Sequence, residues 1–180
     1  MTVRENILTA FHAHLKSGLF TAVAFLPKYK NEEEYFQQKT LELMKEVGIE
    51  HLADNISSSL PYGLQRKLEI ARALATGPKL LLLDEPAAGM NPAETEELME
   101  TIKLIREKYG VTILLIEHDM KLVMSLAERI TVLDHGQTIA VGTPAEIRTN
   151  PKVIEAYLGH GTAAKLRRQA AAAAAAGDVA

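Results

Sequence analysis

Asp84, Glu85 and His118 are the residues best placed to do chemistry, because each closes a short apolar run. LLLL, residues 80 to 83, leads straight into the two acids, and VTILLIEH, residues 111 to 118, ends on the histidine. Such continuous runs are typical of parallel strands buried on both faces, and in parallel α/β sheets ligands collect at the carboxyl ends of the strands. An acid there in a nucleotide-binding sheet would hold magnesium, usually through water, since that hard cation takes oxygen ligands. This is the role expected of Asp84. Glu85 is then placed to orient or polarise a water attacking a γ-phosphate. His118 on the same rim would donate a hydrogen bond to a γ-phosphate oxygen and pair with the nearby acid. The plainer alternative makes one acid a helix cap, the other solvated and the histidine structural. Matching strand-end positions favour the functional reading.

A second element lies upstream, in LPYGLQRKLEIARAL, residues 60 to 74. A helix opening after Pro61-Tyr62-Gly63 offers free N–H groups and the positive end of its dipole to an anion, and Gly63 allows close backbone approach. In isolation this would be an ordinary helix start.

The elements that must position these residues follow from periodicity. Val3, Ile7, Leu8, Phe11 and Leu15 recur at helical spacing. A break is expected around Pro27 to Asn31. A helix capped by Asn31 then follows, with acids in its first turn and a stop near Gly48. Leu60 to Ala75 is helical, with Leu68, Ala71, Arg72 and Ala75 at helical intervals, ended by Gly77-Pro78. Between the two strands, Asn91 caps a helix with Pro92 at its first position, acids early, bases late and Gly110 as stop. That makes a βαβ unit. The next helix is DMKLVMSLAERI, followed by two strands joined at Asp134-His135-Gly136-Gln137 and by two short capped helices, TPAEIRTN and NPKVIEAYLG. From Thr162 onward the alanine-rich sequence has no apolar face to dock and reads as a frayed solvated tail.

Composition excludes several classes. A chain of 180 residues, 47% apolar, can bury an ordinary core. A net charge of −3 gives no basic footprint for nucleic acid. With no cysteine, disulfides, thiolate metal sites and cysteine nucleophiles are excluded. No run reaches the roughly 18 apolar residues of a spanning helix; LFTAVAFL, residues 19 to 26, is too short. MTVRENIL is too polar for a secretory signal. The expectation is a soluble cytoplasmic protein.

LPYGLQRKLEIARALATGPKLLLLDEPAAGMNP, followed by TILLIEHDM, strongly resembles the ATP-binding subunits of ABC transporters. LEIARAL, DEPAAGMNP and LLIEHDMKLVM together are most similar to the subunits of branched-chain amino acid importers. The resemblance covers about residues 1 to 159. It implies an α/β fold: a partial P-loop NTPase (ABC ATPase) core with a helical subdomain. Residues 1–76 would form the signature-bearing helical subdomain, 77–159 the C-terminal part of the α/β core, and 160–180 the alanine-rich tail.

By the same resemblance, Leu60, Pro61, Tyr62, Gly63 and Leu64 form the signature motif, with Gln65 adjoining it. Asp84 ends Walker B, Glu85 is the catalytic carboxylate, Ala88, Gly89, Met90 and Asn91 are the D-loop, and His118 is the switch histidine. The implied cofactors are ATP and Mg2+. The implied partners are integral-membrane permease subunits and a homologous ATPase subunit, as homo- or heterodimer, with no nucleic acid. The implied location is the cytoplasmic face of the inner or plasma membrane, held peripherally through the permease.

Pro61 stands where the common signature has serine, which removes a hydroxyl donor. Leu64 replaces the usual glutamine, and Asn91 stands where many D-loops have aspartate. The larger departure is the phosphate-cradling G-x-x-x-x-G-K-[ST], for no glycine here precedes a lysine. In the family the P-loop, the adenine-stacking aromatic and the Q-loop come before the segment that MTVRENIL resembles. The expectation is therefore the C-terminal part of an importer ATPase. Two alternatives remain: a non-hydrolytic partner of a permease or complete ATPase, and a signature-bearing DNA-repair ATPase. The second would need a long heptad coiled coil and basic surfaces, and the sequence has neither.

Phosphate affinity in this fold class depends chiefly on the P-loop and its lysine, and two adjacent carboxylates repel a triphosphate. Purified alone, these 180 residues should show no saturable ATPase activity and only weak, metal-dependent nucleotide binding. Micromolar ATP affinity by calorimetry would contradict this.

Overall fold

The computed structural model describes residues 1–14 and 27–157. Leu15, the apolar stretch 19–26 and the alanine-rich tail lie outside them. The chain divides into two compact units, Met1–Glu117 and His118–Ala180.

The first unit opens with α1, Val3–Phe11, which buries Val3, Ile7 and Phe11. Thr2 and Glu5 form a reciprocal capping box, so two orphan amides of the first turn are satisfied. Helix α2, Pro27–Glu46, packs on it through a Phe11–Phe36 ring stack with centroids 5.3 Å apart. The break expected at Pro27–Asn31 is absent and Asn31 is not a cap. Proline's fixed φ suits a first helical turn, so the helix starts one turn earlier. It stops just before Gly48, which takes φ +74° as expected of a helix terminator.

Helix α3, Tyr62–Ala75, buries Gly63, Leu68, Ile70, Ala71, Leu74 and Ala75. Strand β1, Leu80–Asp84, pairs in parallel with β2, Thr112–Ile116, from Leu80 opposite Thr112 to Asp84 opposite Ile116. Their crossover is α4, Pro92–Tyr109, ended by Gly110 at φ +59°. Lys67 on α3 meets Glu97 on α4 at 2.9 Å. Glu46 at the end of α2 holds both Lys108, at 2.6 Å, and the Tyr109 hydroxyl at the end of α4. Burial, and then that hydrogen bond, raises the Tyr109 pKa above its ordinary range.

The second unit starts with α5, Met120–Leu126, capped by Asp119, whose Oδ1 accepts from the Lys121 and Leu122 amides. Strands β3, Ile130–Asp134, and β4, Gln137–Gly142, form the expected antiparallel hairpin. His135 and Gly136 take φ +46° and +76°, the paired positive values of a type I′ turn. Helix α6, Pro144–Thr149, begins with a Thr143–Glu146 capping box. The Thr143 amide and hydroxyl, in that order, hold the Glu146 carboxyl below its usual range. Ile130, Val132, Ile147 and Val153 form this unit's core, and Val153 comes from the helical stretch 151–157.

The sequence predicts one sheet containing both strands and hairpin. Instead, each sheet has two strands, and no ladder joins them among the described residues. A tight turn lets β3 find β4 with little loop-closure cost, whereas a further parallel neighbour needs a long crossover. Burial on both faces of β1 and β2 is likewise not observed. Leu81 and Leu83 are buried, while Leu80, Leu82, Leu114 and Ile116 are 51%, 65%, 56% and 59% exposed.

Bare apolar strands of this kind favour association. Expressed as these 180 residues alone, the chain should self-associate. Leu82→Lys with Leu114→Glu, a cross-strand pair in register, should reduce the apparent mass in light scattering. A stable dilute monomer of the unsubstituted chain would contradict the expectation.

Candidate functional site

The site is built where β1 ends. Asp84 is the last residue of the strand and is exposed. Glu85 extends the ladder by one bond, its N–H reaching the Ile116 carbonyl at 2.8 Å, and then turns the chain with φ +43°. That is the left-handed region, which costs a residue with a Cβ roughly 1–2 kcal/mol. Pro86 is buried and has no N–H to place. The Ala87 N–H donates to Glu117 Oε1 at 3.2 Å, and the Ala88 N–H closes back on the Glu85 carbonyl at 3.1 Å. The Met90 N–H reaches the Ala87 carbonyl at 3.1 Å, Gly89 takes φ +75°, and Asn91 caps α4. Its Oδ1 accepts from the Ala93 and Glu94 amides at 2.9 and 3.0 Å, while Glu94 returns a carboxylate to the Asn91 amide at 2.9 Å.

The start of α3 meets this turn. Leu60 is buried, Pro61 is the cap residue, and no side chain caps the helix. The Leu64 and Gln65 amides both bond the Pro61 carbonyl at 3.0 Å, and Gln65 Nε2 holds the Leu60 carbonyl at 2.7 Å. A Cβ placed on Gly63 would stand 3.6 Å from the Glu94 carboxyl carbon, and one on Gly89 would stand 3.8 Å from the Tyr62 ring. The Arg66 guanidinium lies 4.8 Å from that ring's centroid, bonds the Tyr62 hydroxyl and pairs with Glu69 at 2.6 Å. Tyr62 and Gly63 are therefore brought against Gly89 and Glu94, from the turn and the first coil of α4.

His118 is exposed and opens the second unit, one residue before the Asp119 cap. Among the described residues, no three His, Asp or Glu side chains gather to hold a metal. One exposed strand-end carboxylate with an acid beside it suits magnesium that takes its remaining oxygens from phosphate and water. Sequence reasoning missed Glu117, Glu94 and Arg66. Glu117 had a legible signal, since it follows an apolar strand directly, as Asp84 does.

Two family descriptions match: "ABC transporter" over residues 2–88, and "Branched-chain amino acid ATP-binding cassette transporter" over 137–163. The chain is 49% identical over 159 residues to the high-affinity branched-chain amino acid transport ATP-binding protein LivG of Salmonella typhimurium. To the corresponding protein BraF of Pseudomonas aeruginosa it is 45% identical. Each match covers 88% of this chain and 62% of the relative's length. A solved ATP-binding cassette of an ABC transporter, in its ADP conformation, superposes with a TM-score of 0.69 at 30% identity, covering 89% of this chain and 63% of that one. Over most of its length the chain is similar to the ATP-binding proteins of ABC transporters. Those it resembles include ATP-binding proteins named for high-affinity branched-chain amino acid transport.

The backbone at Glu85 gives a stability test separate from activity. Glu85→Gly should be more stable than Glu85→Ala by about 1 kcal/mol, because glycine alone carries no Cβ penalty at positive φ. Equal urea midpoints would show that the turn relaxes out of the left-handed region.

Proposed function

We propose that these residues supply the acid-bearing and signature parts of an ATPase subunit that drives import of branched-chain or related amino acids. The observation that supports this best is the turn after β1. Asp84 and Glu85 stand exposed at the carboxyl end of a parallel strand, and their turn is bonded to the end of β2.

In this reading Asp84 would hold Mg2+, which would supply positive charge to offset the negative charge of the phosphates. Glu85 orients the attacking water and takes its proton. His118 donates to a γ-phosphate oxygen as negative charge grows there. Leu60 to Gln65 and Ala88 to Asn91 face nucleotide held by a homologous ATPase subunit, with backbone N–H groups of Tyr62 and Gly63 in place of the missing signature hydroxyl. Helices of residues 1–76 meet integral-membrane permease subunits at the cytoplasmic face. Among the described residues no helix is long and apolar enough to cross a membrane.

The test needs an ATPase that bears a phosphate-binding loop ahead of these residues. In it, Glu85→Gln should keep nucleotide affinity while turnover falls by roughly 10²-fold or more. His118→Ala should also slow turnover, by removing a donor aimed at developing charge. Normal turnover in Glu85→Gln would remove Glu85 from the mechanism.

A further inference from the structure

Glu117 has no role in the reading above, yet its carboxylate is built into the turn that carries Glu85. We infer that Glu117 is a positioning residue for Glu85, acting through its hydrogen bond to the Ala87 amide rather than through its charge. The inference rests on the proposed catalytic role of Glu85.

The amides of this turn set the argument. Glu85 donates to the Ile116 carbonyl at 2.8 Å, Pro86 has nothing to donate, and Ala87 donates to Glu117 Oε1 at 3.2 Å. Two successive donors of the turn are therefore taken by Ile116, the last residue of β2, and by Glu117, which follows it, one by backbone and one by side chain. Between those anchors lies Glu85, in a backbone conformation that a residue with a Cβ avoids. Within the turn, the Glu85 carbonyl is held by the Ala88 N–H at 3.1 Å. The Ala87 bond to Glu117 adds a second tie, beside the ladder bond, between the turn and the segment that ends β2, and so fixes where the turn stands. The direction of the Glu85 side chain follows from that turn, and an error of about 1 Å in a reacting group can cost up to 10²-fold in rate.

Geometry and charge predict opposite orders for two substitutions. Glutamine keeps the length and an acceptor oxygen but loses the charge. Aspartate keeps the charge but is shorter by one carbon–carbon bond, about 1.5 Å, so it falls short of the Ala87 amide.

In the ATPase bearing its phosphate-binding loop, Glu117→Asp should lower kcat roughly 10- to 100-fold with little change in the KM for ATP. Glu117→Gln should recover most of that loss. Hydrogen exchange at the Ala87 amide should speed up in the aspartate variant and stay slow in the glutamine variant, a readout independent of catalysis. Glutamine as damaging as aspartate would assign Glu117 a charge or proton role and overturn the inference. So would unchanged kcat and exchange in Glu117→Asp. Measuring Glu85→Gln alongside separates the two levels. Full turnover there would remove the proposed function and this inference together, whereas normal turnover in Glu117→Asp beside an inactive Glu85→Gln would overturn the inference alone.

Discussion

The five-residue parallel ladder between Leu80–Asp84 and Thr112–Ile116 is the constraint on which the site depends. Parallel strands cannot be joined by a tight turn, so the chain must travel out and back through α4 before the two runs meet. Leucine burial alone does not choose their register, because a slip of one residue would present Leu80 and Leu82 in place of the buried Leu81 and Leu83. The strand ends discriminate: the Glu85 N–H meets the Ile116 carbonyl and the Ala87 N–H meets Glu117, and a slip would carry the acid-bearing turn away from both.

How much of this was legible varies with the physics involved. Turn and cap chemistry is local, and it was readable: Asn91 with Pro92, Gly110, and the Asp134–Gln137 hairpin all form as their residue types require. The start of α2 was misplaced because Pro27 carries two opposite signals, breaker and first-turn residue, and only the packed helix decides between them. The two-faced burial of β1 and β2 was overstated for a related reason. An apolar run shows that a face can be buried, while the partner that buries it is set by tertiary contacts. At the site, strand ends marked Asp84 and Glu85, but the Ala87–Glu117 bond joins residues thirty positions apart and no local pattern encodes it.

The joint between α3 and the turn shows the same dependence on non-local contact. Tyr62 was chosen for its place at a helix start, where its amide matters. The structure gives its ring separate contacts, with Gly89 and with the Arg66 guanidinium. Gly89 needs its freedom for a positive φ, while Gly63 is helical and buried beside Glu94. A Cβ would meet its neighbour at ordinary contact distance, 3.6 Å at Gly63 and 3.8 Å at Gly89, so at position 89 it is backbone conformation rather than space that calls for glycine.

The energetics of the Glu85 turn explain why a strained acid can persist there. Its left-handed backbone costs roughly 1–2 kcal/mol. A hydrogen bond contributes about 1 kcal/mol net, and somewhat more when one partner is charged. The bonds from the Glu85, Ala87 and Ala88 amides are together large enough to offset the strain. The Ala87 amide meets a single oxygen of Glu117. An uncharged side chain of the same length that ends in a carbonyl oxygen would meet it equally, so what the turn asks of position 117 is reach rather than charge.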